Sequence, residues 1–327
     1  MGKKILIGVS VLLGVLIIGI GGLVTYVNLA LPDAGPAPDL KVELTQERID
    51  RGSYLANSVA VCMDCHSQRD WTKFSGPLVA GSNGSGGEKF SAEMGFPGDF
   101  YSPNLTPSHL GDWTDGEIYR AITAGVNKDG KPLFPLMPWP NYGKMDTEDI
   151  YAIIAYIRSL SPIENTPPAS EPSFPFSLIL RTLPHAGTPE SRPDTSNSVE
   201  YGKYLVSAAA CADCHTPVND RAEPLPGMHL AGGREFPMMK ATVRSSNLTA
   251  DLETGIGKWS KEQFVQRFKA YADSNYHPNT VSEGDFNTVM PWTMYGSMTV
   301  SDLCAIYSYL QTVQPVSHKV ERFTASK

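Results

Sequence analysis

One five-residue pattern occurs twice: Cys62-Met63-Asp64-Cys65-His66 and Cys211-Ala212-Asp213-Cys214-His215. It takes up four of the five cysteines. Two cysteines three positions apart share one helical turn, and the next residue brings an imidazole round beside them. This C-x-x-C-H spacing is the attachment signature of c-type haem: each thiol bonds one vinyl group, and the histidine lies beneath the iron as its proximal ligand. A disulfide would leave both histidines unexplained. Structural zinc needs four ligands, one more than the motif supplies. A thioredoxin-like redox pair needs a surrounding βαβ pattern, which is not evident. The sequence therefore predicts two covalently bound haem c groups, held by Cys62, Cys65 and His66 and by Cys211, Cys214 and His215.

The repetition extends beyond the motifs and marks an internal duplication. Gly52-Ser-Tyr54-Leu55 precedes the first motif and Gly202-Lys-Tyr204-Leu205 the second. Downstream, Asn104-Leu105-Thr106 matches Asn247-Leu248-Thr249, Gly111-Asp-Trp113 matches Gly257-Lys-Trp259, and Met137-Pro138-Trp139 matches Met290-Pro291-Trp292. Tyr142, Met145 and Asp149 then match Tyr295, Met298 and Asp302. The expected organisation is residues 1–30 as cytoplasmic start and transmembrane anchor, 31–45 as linker, 46–165 as a first domain, 166–195 as a proline-rich connector, and 196–327 as a second domain. The connector carries Phe174, Phe176, Leu178, Ile179 and Leu180, too apolar to float free, and is expected to pack on one or both domains.

Residues 5–27 form an uncharged run of 23 residues, enough to cross a bilayer core as a helix. It is longer than the apolar stretch of a secretory signal and is followed by no clear small-residue cleavage pattern; a removed signal peptide is the alternative. Lys3 and Lys4 precede it, and no cation follows until Lys41. That asymmetry places the N-terminus in the cytoplasm and the remainder outside. The net charge is −7, and without those two lysines the exported part carries −9. An acidic balance argues against nucleic acid, whose binding relies on Lys and Arg.

Helical spacing appears at Ile150, Ile153, Ile154, Ile157 and Leu160, with Asp146 and Asp149 suited to N-cap and N3. The second copy has Thr299 and Asp302, then Leu303, Ile306, Tyr307 and Leu310. Residues 47–60 and 200–210 read as helices leading into the motifs, and 117–124 and 261–270 as a third pair. No stretch shows sustained strand alternation, so the expected fold class is all-α.

A histidine-ligated iron needs a ligand opposite. Met137 and Met290 occupy equivalent places in Met-Pro-Trp, and thioether ligation raises the reduction potential. Met145 and Met298 are duplicated too but begin a helix, where packing is the simpler role. His109, His185, His229, His277 and His318 have no duplicated partner and read as surface or loop residues. Trp113 and Trp259 are candidates to donate an indole N–H to a haem propionate, or to pack in the core. Asn104 and Asn247 either cap a turn or brace the methionine loop; Tyr142 and Tyr295 are candidates to line the haem edge; Cys304 reads as a buried inert thiol.

This order of motifs resembles class I cytochromes c. More narrowly, it is similar to the multihaem cytochrome c subunits of bacterial membrane-bound alcohol, gluconate and sorbitol dehydrogenases, over about residues 46–165 and 196–315. The resemblance implies two tandem all-α cytochrome c domains, with axial pairs His66–Met137 and His215–Met290 and one-electron transfer through exposed haem edges. Those subunits commonly carry three haem motifs and often a C-terminal anchor; this chain has two motifs and an N-terminal span. The expected function is a single-pass dihaem c-type cytochrome of the bacterial inner membrane, its haem domains periplasmic. It would carry electrons between redox protein partners: a dehydrogenase, a quinol-oxidising complex or a terminal oxidase. The alternative is a permanent electron-accepting subunit of a membrane dehydrogenase or other respiratory complex. A dihaem peroxidase would need an iron position that opens, whereas each copy has its methionine, so the chain itself is not expected to be an enzyme.

Overall fold

In the computed structural model, which describes residues 2–325, the apolar run is one continuous helix, α1 (Gly2–Ala30). It is 29 residues long, or about 43 Å at the α-helical rise. It is the one helix among the described residues long and apolar enough to cross a membrane, and its apolar window is 0% buried.

Each repeat then builds the same three helices. In the first these are α2 (Gln46–Tyr54), α3 (Asp115–Ala124) and α4 (Thr147–Ser159); in the second, α5 (Ser198–Ala208), α6 (Lys261–Lys269) and α7 (Val300–Leu310). Local chemistry sets their starts. Thr114 with Glu117 and Ser260 with Gln263 form capping boxes at α3 and α6, each satisfying two backbone donors that a helix end leaves open. Asp146 caps α4, and Thr299 caps α7 by accepting from the Asp302 N–H.

Within each repeat the first helix crosses the last. A Cβ added at Gly52 would lie 1.8 Å from the Ala152 carbonyl oxygen, and one at Gly202 1.9 Å from that of Ala305. Only glycine lets the two backbones approach so closely. The buried faces merge into one apolar cluster running through both repeats, from Leu55, Val59, Ile150 and Ile154 to Leu205, Leu303, Ile306 and Leu310.

The all-α expectation needs correction, because two small antiparallel sheets are present. Strand β1 (Lys89–Phe90) pairs with β2 (Gly98–Tyr101), which pairs with β3 (Glu171–Pro172). In the second repeat β4 (Glu235–Met238) pairs with β5 (Ala241–Arg244), and β5 with β6 (Phe323–Ala325). Both close the loop between a C-x-x-C-H motif and its Asn-Leu-Thr, using a strand that returns after the last helix of that repeat. Strands of two to four residues are too short to print the alternation by which strands are read.

The connector packs on the first repeat, as expected of its apolar residues. Phe176 meets Phe134 edge-on at 5.6 Å, and the Glu190 N–H donates to the Lys144 carbonyl at 3.1 Å. Arg181 donates to the Leu31 carbonyl at 3.0 Å, just past the end of α1.

The repeats also hold each other by a crossed pair of tyrosine–carboxylate bonds. The Tyr54 hydroxyl donates to Asp302 at 2.5 Å and accepts from the Thr299 N–H at 3.1 Å. Conversely, Tyr204 donates to Asp149 at 2.6 Å and accepts from the Asp146 N–H at 3.3 Å. Asp149 is 1% exposed and also takes Arg51 and Arg192, each at 2.8 Å. Burial alone would raise its carboxyl, but the hydrogen bonds and charges of these partners hold it below the usual carboxylate range.

Candidate haem-binding sites

Each C-x-x-C-H motif forms a single helical turn, Cys62–Cys65 and Cys211–His215, entered from a residue in the left-handed region: Val61 at φ 46° and Ala210 at φ 50°. A β-branched valine there is strained, and the same backbone departure at the equivalent alanine marks it as part of the motif's geometry. The turn is tied down from behind. The Tyr142 hydroxyl donates to the Ala60 carbonyl at 2.8 Å, and Tyr295 to that of Ala209 at 2.8 Å. These tyrosines therefore hold the backbone just before the motif.

The histidines are 8% and 9% exposed. His66 Nδ1 lies 2.8 Å from the Pro103 carbonyl oxygen and His215 Nδ1 2.8 Å from that of Ser246. A carbonyl only accepts, so Nδ1 carries the hydrogen and the Nε2 lone pair is free. This is how a metal-binding imidazole is commonly oriented. Burial pushes both imidazoles below the ordinary histidine value despite these bonds, so both rings are neutral at pH 7.

Both orienting carbonyls immediately precede an Asn-Leu-Thr. Asn104 is 0% exposed and Asn247 4%. The Asn104 Oδ1 accepts from the N–H and the hydroxyl of Thr106 at 2.8 and 2.7 Å, while its Nδ2 donates to the Ile163 and Asn165 carbonyls at 2.8 and 3.0 Å. Asn247 repeats this with Thr249 at 2.9 and 2.8 Å and with the Val316 carbonyl at 2.8 Å. The asparagine thus caps its own turn and ties it to the segment leaving the last helix. Bracing of the methionine loop, the other expectation, is not what it does.

None of the five cysteines is paired in a disulfide, and burial pushes the thiols of Cys62 and Cys211 up to about 12. A reactive redox pair has the opposite shift. Among the described residues no three His, Cys, Asp or Glu side chains converge in the geometry of a metal site. Two unpaired thiols and a neutral imidazole with Nε2 free, on one strained turn and repeated, form a donor set that fits haem c.

Met137 and Met290 are half-buried and pack against the core, as do Cys62 and Cys211. Their loops are closed by Trp139 N–H to the Met137 carbonyl at 2.6 Å and Trp292 N–H to the Met290 carbonyl at 2.8 Å. Met145 and Met298 are each 2% exposed inside the core, as expected of packing residues. Trp113 is half-buried with Lys128 above its ring at 5.9 Å, and Trp259 is 37% exposed; neither is a buried core tryptophan. Cys304 is half-buried against the core rather than fully buried. His185 is exposed on the connector and meets the Trp139 ring at 5.2 Å.

Sequence reasoning missed the carbonyls of Pro103 and Ser246, since any residue supplies one. The signal available was the Asn-Leu-Thr that follows each.

No protein-family model matches the chain. Its relatives include cytochrome c subunits of bacterial dehydrogenases. The cytochrome subunit of fructose dehydrogenase from Gluconobacter japonicus is 32% identical over 72% of this chain and 47% of its own length. The cytochrome c subunit of gluconate 2-dehydrogenase from Pantoea cypripedii is 27% identical over 81% of this chain and 59% of its own. A diheme c-type cytochrome from Cereibacter sphaeroides is 28% identical over 68% of this chain and 72% of its own. The chain thus spans about half the length of the dehydrogenase subunits it matches.

Proposed function

We propose that this chain is a membrane-anchored dihaem c-type cytochrome that accepts electrons as a subunit of a membrane dehydrogenase. One observation carries the reading: two C-x-x-C-H turns whose histidines are both oriented by a buried Nδ1–carbonyl bond at 2.8 Å. Bound haem would supply a one-electron iron couple at each site. Cys62 and Cys65, and Cys211 and Cys214, would hold it covalently; His66 and His215 would be the proximal ligands, Met137 and Met290 the distal ones. Trp113 and Trp259 are proposed to meet the propionates.

The protein's own task is position. The tyrosine-anchored turns and carbonyl-bound imidazoles would hold the ligands of a bound haem in place in either charge state, so little would have to reorganise. The crossed Tyr54–Asp302 and Tyr204–Asp149 bonds keep residues 46–165 and 196–327 in one fixed relation. Helix α1 would span the bacterial inner membrane with its N-terminus cytoplasmic and the haem-bearing repeats in the periplasm. The tether raises the effective concentration of the chain near membrane partners. The exported charge of −9, the −7 total without Lys3 and Lys4, suits a basic docking face, with association that slows as salt rises.

A second reading is a membrane-tethered carrier between respiratory partners outside any one complex; it is favoured by the diheme c-type relative, 72% of which the chain covers and whose name mentions no dehydrogenase. Purification from membranes in mild detergent separates the two. A dehydrogenase that co-purifies at fixed stoichiometry is the expected result; a chain recovered alone, yet reduced by respiratory substrate in membranes, would favour the carrier. A haem-free chain after expression with cytochrome c maturation would sink both.

A further inference from the structure

The loop after the first haem motif reaches across to the second repeat and lands on its methionine. Residues 70–76 run beside residues 279–292. The Phe74 N–H donates to the Asn279 carbonyl and the Val281 N–H to that of Thr72, both at 2.8 Å. At the centre is Ser75, 1% exposed. Its hydroxyl donates to the Met290 carbonyl at 2.6 Å and accepts from the Trp292 N–H at 3.3 Å, so one side chain straddles Met290-Pro291-Trp292. Its N–H donates to the Asn287 Oδ1 at 2.8 Å, and Asn287 is also 1% exposed.

Ser75 is held in turn from its own repeat. Arg69, three residues after His66, donates to the Ser75 and Gly76 carbonyls at 2.7 and 2.8 Å, and pairs with Asp64 of the first motif at 2.9 Å. The Arg69 side chain is 5% exposed, and its guanidinium lies 4.0 Å from the Trp71 ring centre. A buried hydroxyl placed this firmly fixes the backbone from which a flexible thioether must reach its target.

We propose that Ser75 is a positioning residue for the second haem: its hydroxyl, supplied by the first repeat, sets the Met290 loop in the conformation that delivers the thioether to the iron. This rests on the reading of Met290 as distal ligand. Iron–thioether bonds are weak, so ligation depends on how well the loop is pre-set, and losing the methionine lowers the potential. The Met137 loop is covered differently, by the connector, so Ser75 should act on one haem only.

The experiment uses the full haem-loaded chain in detergent. It reads a two-wave redox titration, the weak red-end absorption band of methionine-ligated ferric haem, and the pH at which that band disappears. Met290→Ala identifies the wave and the share of the band that belong to the second haem. Ser75→Ala and Ser75→Gly should both lower that wave, by less than Met290→Ala does, and should lose that share of the band at a lower pH than the parent. The other wave should stay in place. Glycine is the decisive variant, since Ser75 sits at φ 63°, where glycine is at ease. A wild-type wave and band in Ser75→Gly would overturn the proposal, as would equal movement of both waves. If Met290→Ala itself changes neither wave nor band, the ligand reading fails, and the positioning role falls with it.

Discussion

The two repeats do the same things with the same residues near the proposed haems and different things at their edges. In both, a glycine lets the first helix touch the last, a tyrosine pins the carbonyl before the motif, and an asparagine sets the carbonyl that orients the histidine. Their methionine loops part company. That of Met137 is covered by the connector, through Phe176 on Phe134 and His185 on Trp139. That of Met290 is gripped by Ser75 of the other repeat. The crossed carboxylates differ as well: Asp149 takes two arginines and Tyr204, whereas Asp302 takes Tyr54, and the residue matching Arg51 is Tyr201. Duplication has kept the residues proposed to hold a haem and varied what surrounds them.

The comparison breaks most visibly at the cysteines. Replacing Cys62 and Cys65 together by alanine should remove one of the two haems and leave the other, read as haem per protein by absorbance; Cys304→Ser should remove none. Retention of two covalent haems in the double variant would end the assignment. Next in size, Met137→Ala should keep both haems attached while lowering one wave of the redox titration, and it should be the wave that Ser75 variants leave alone.

Smaller effects test the packing. Gly52→Ala and Gly202→Ala should each destabilise by about 3 kcal/mol, because a methyl must force two packed helices apart, and denaturant midpoints should fall alike if the crossings are equivalent. Tyr204→Phe should cost about 2 kcal/mol, as a buried bond to a charged group does, and more than Tyr54→Phe. Asp149 adds a pH signature. Its carboxyl is depressed in the folded chain, so its stabilisation is present above the ordinary carboxylate value near pH 4 and is lost as pH falls through the lower folded value. Asp149→Asn should therefore flatten the acid side of the stability profile; an unchanged profile would remove Asp149 as its source.

The motif repetition made the fold's plan legible early. Capped, amphipathic segments such as 147–159 and 300–310 declare themselves because a helix needs only local chemistry and one apolar face. The two sheets stayed hidden because Glu171–Pro172 and Phe323–Ala325 are strands only by virtue of partners about 70 and 80 residues away. At the sites, Cys62, Cys65 and His66 were readable from spacing, while the Pro103 and Ser246 carbonyls were not, since every residue carries one and only folding chooses which meets an imidazole.

Sequence alone determined the candidate donor set. Thiols and an imidazole at i, i+3 and i+4 lie on one turn whatever surrounds them, and their recurrence with matching flanks announces two copies of one design. Tertiary structure decided how the copies relate: the exchanged tyrosine–carboxylate bonds, the connector laid over one methionine loop, and Ser75 seated on the other. Those contacts join residues as far as 248 positions apart. No local pattern records such a pairing, because it exists only once both backbones are in place.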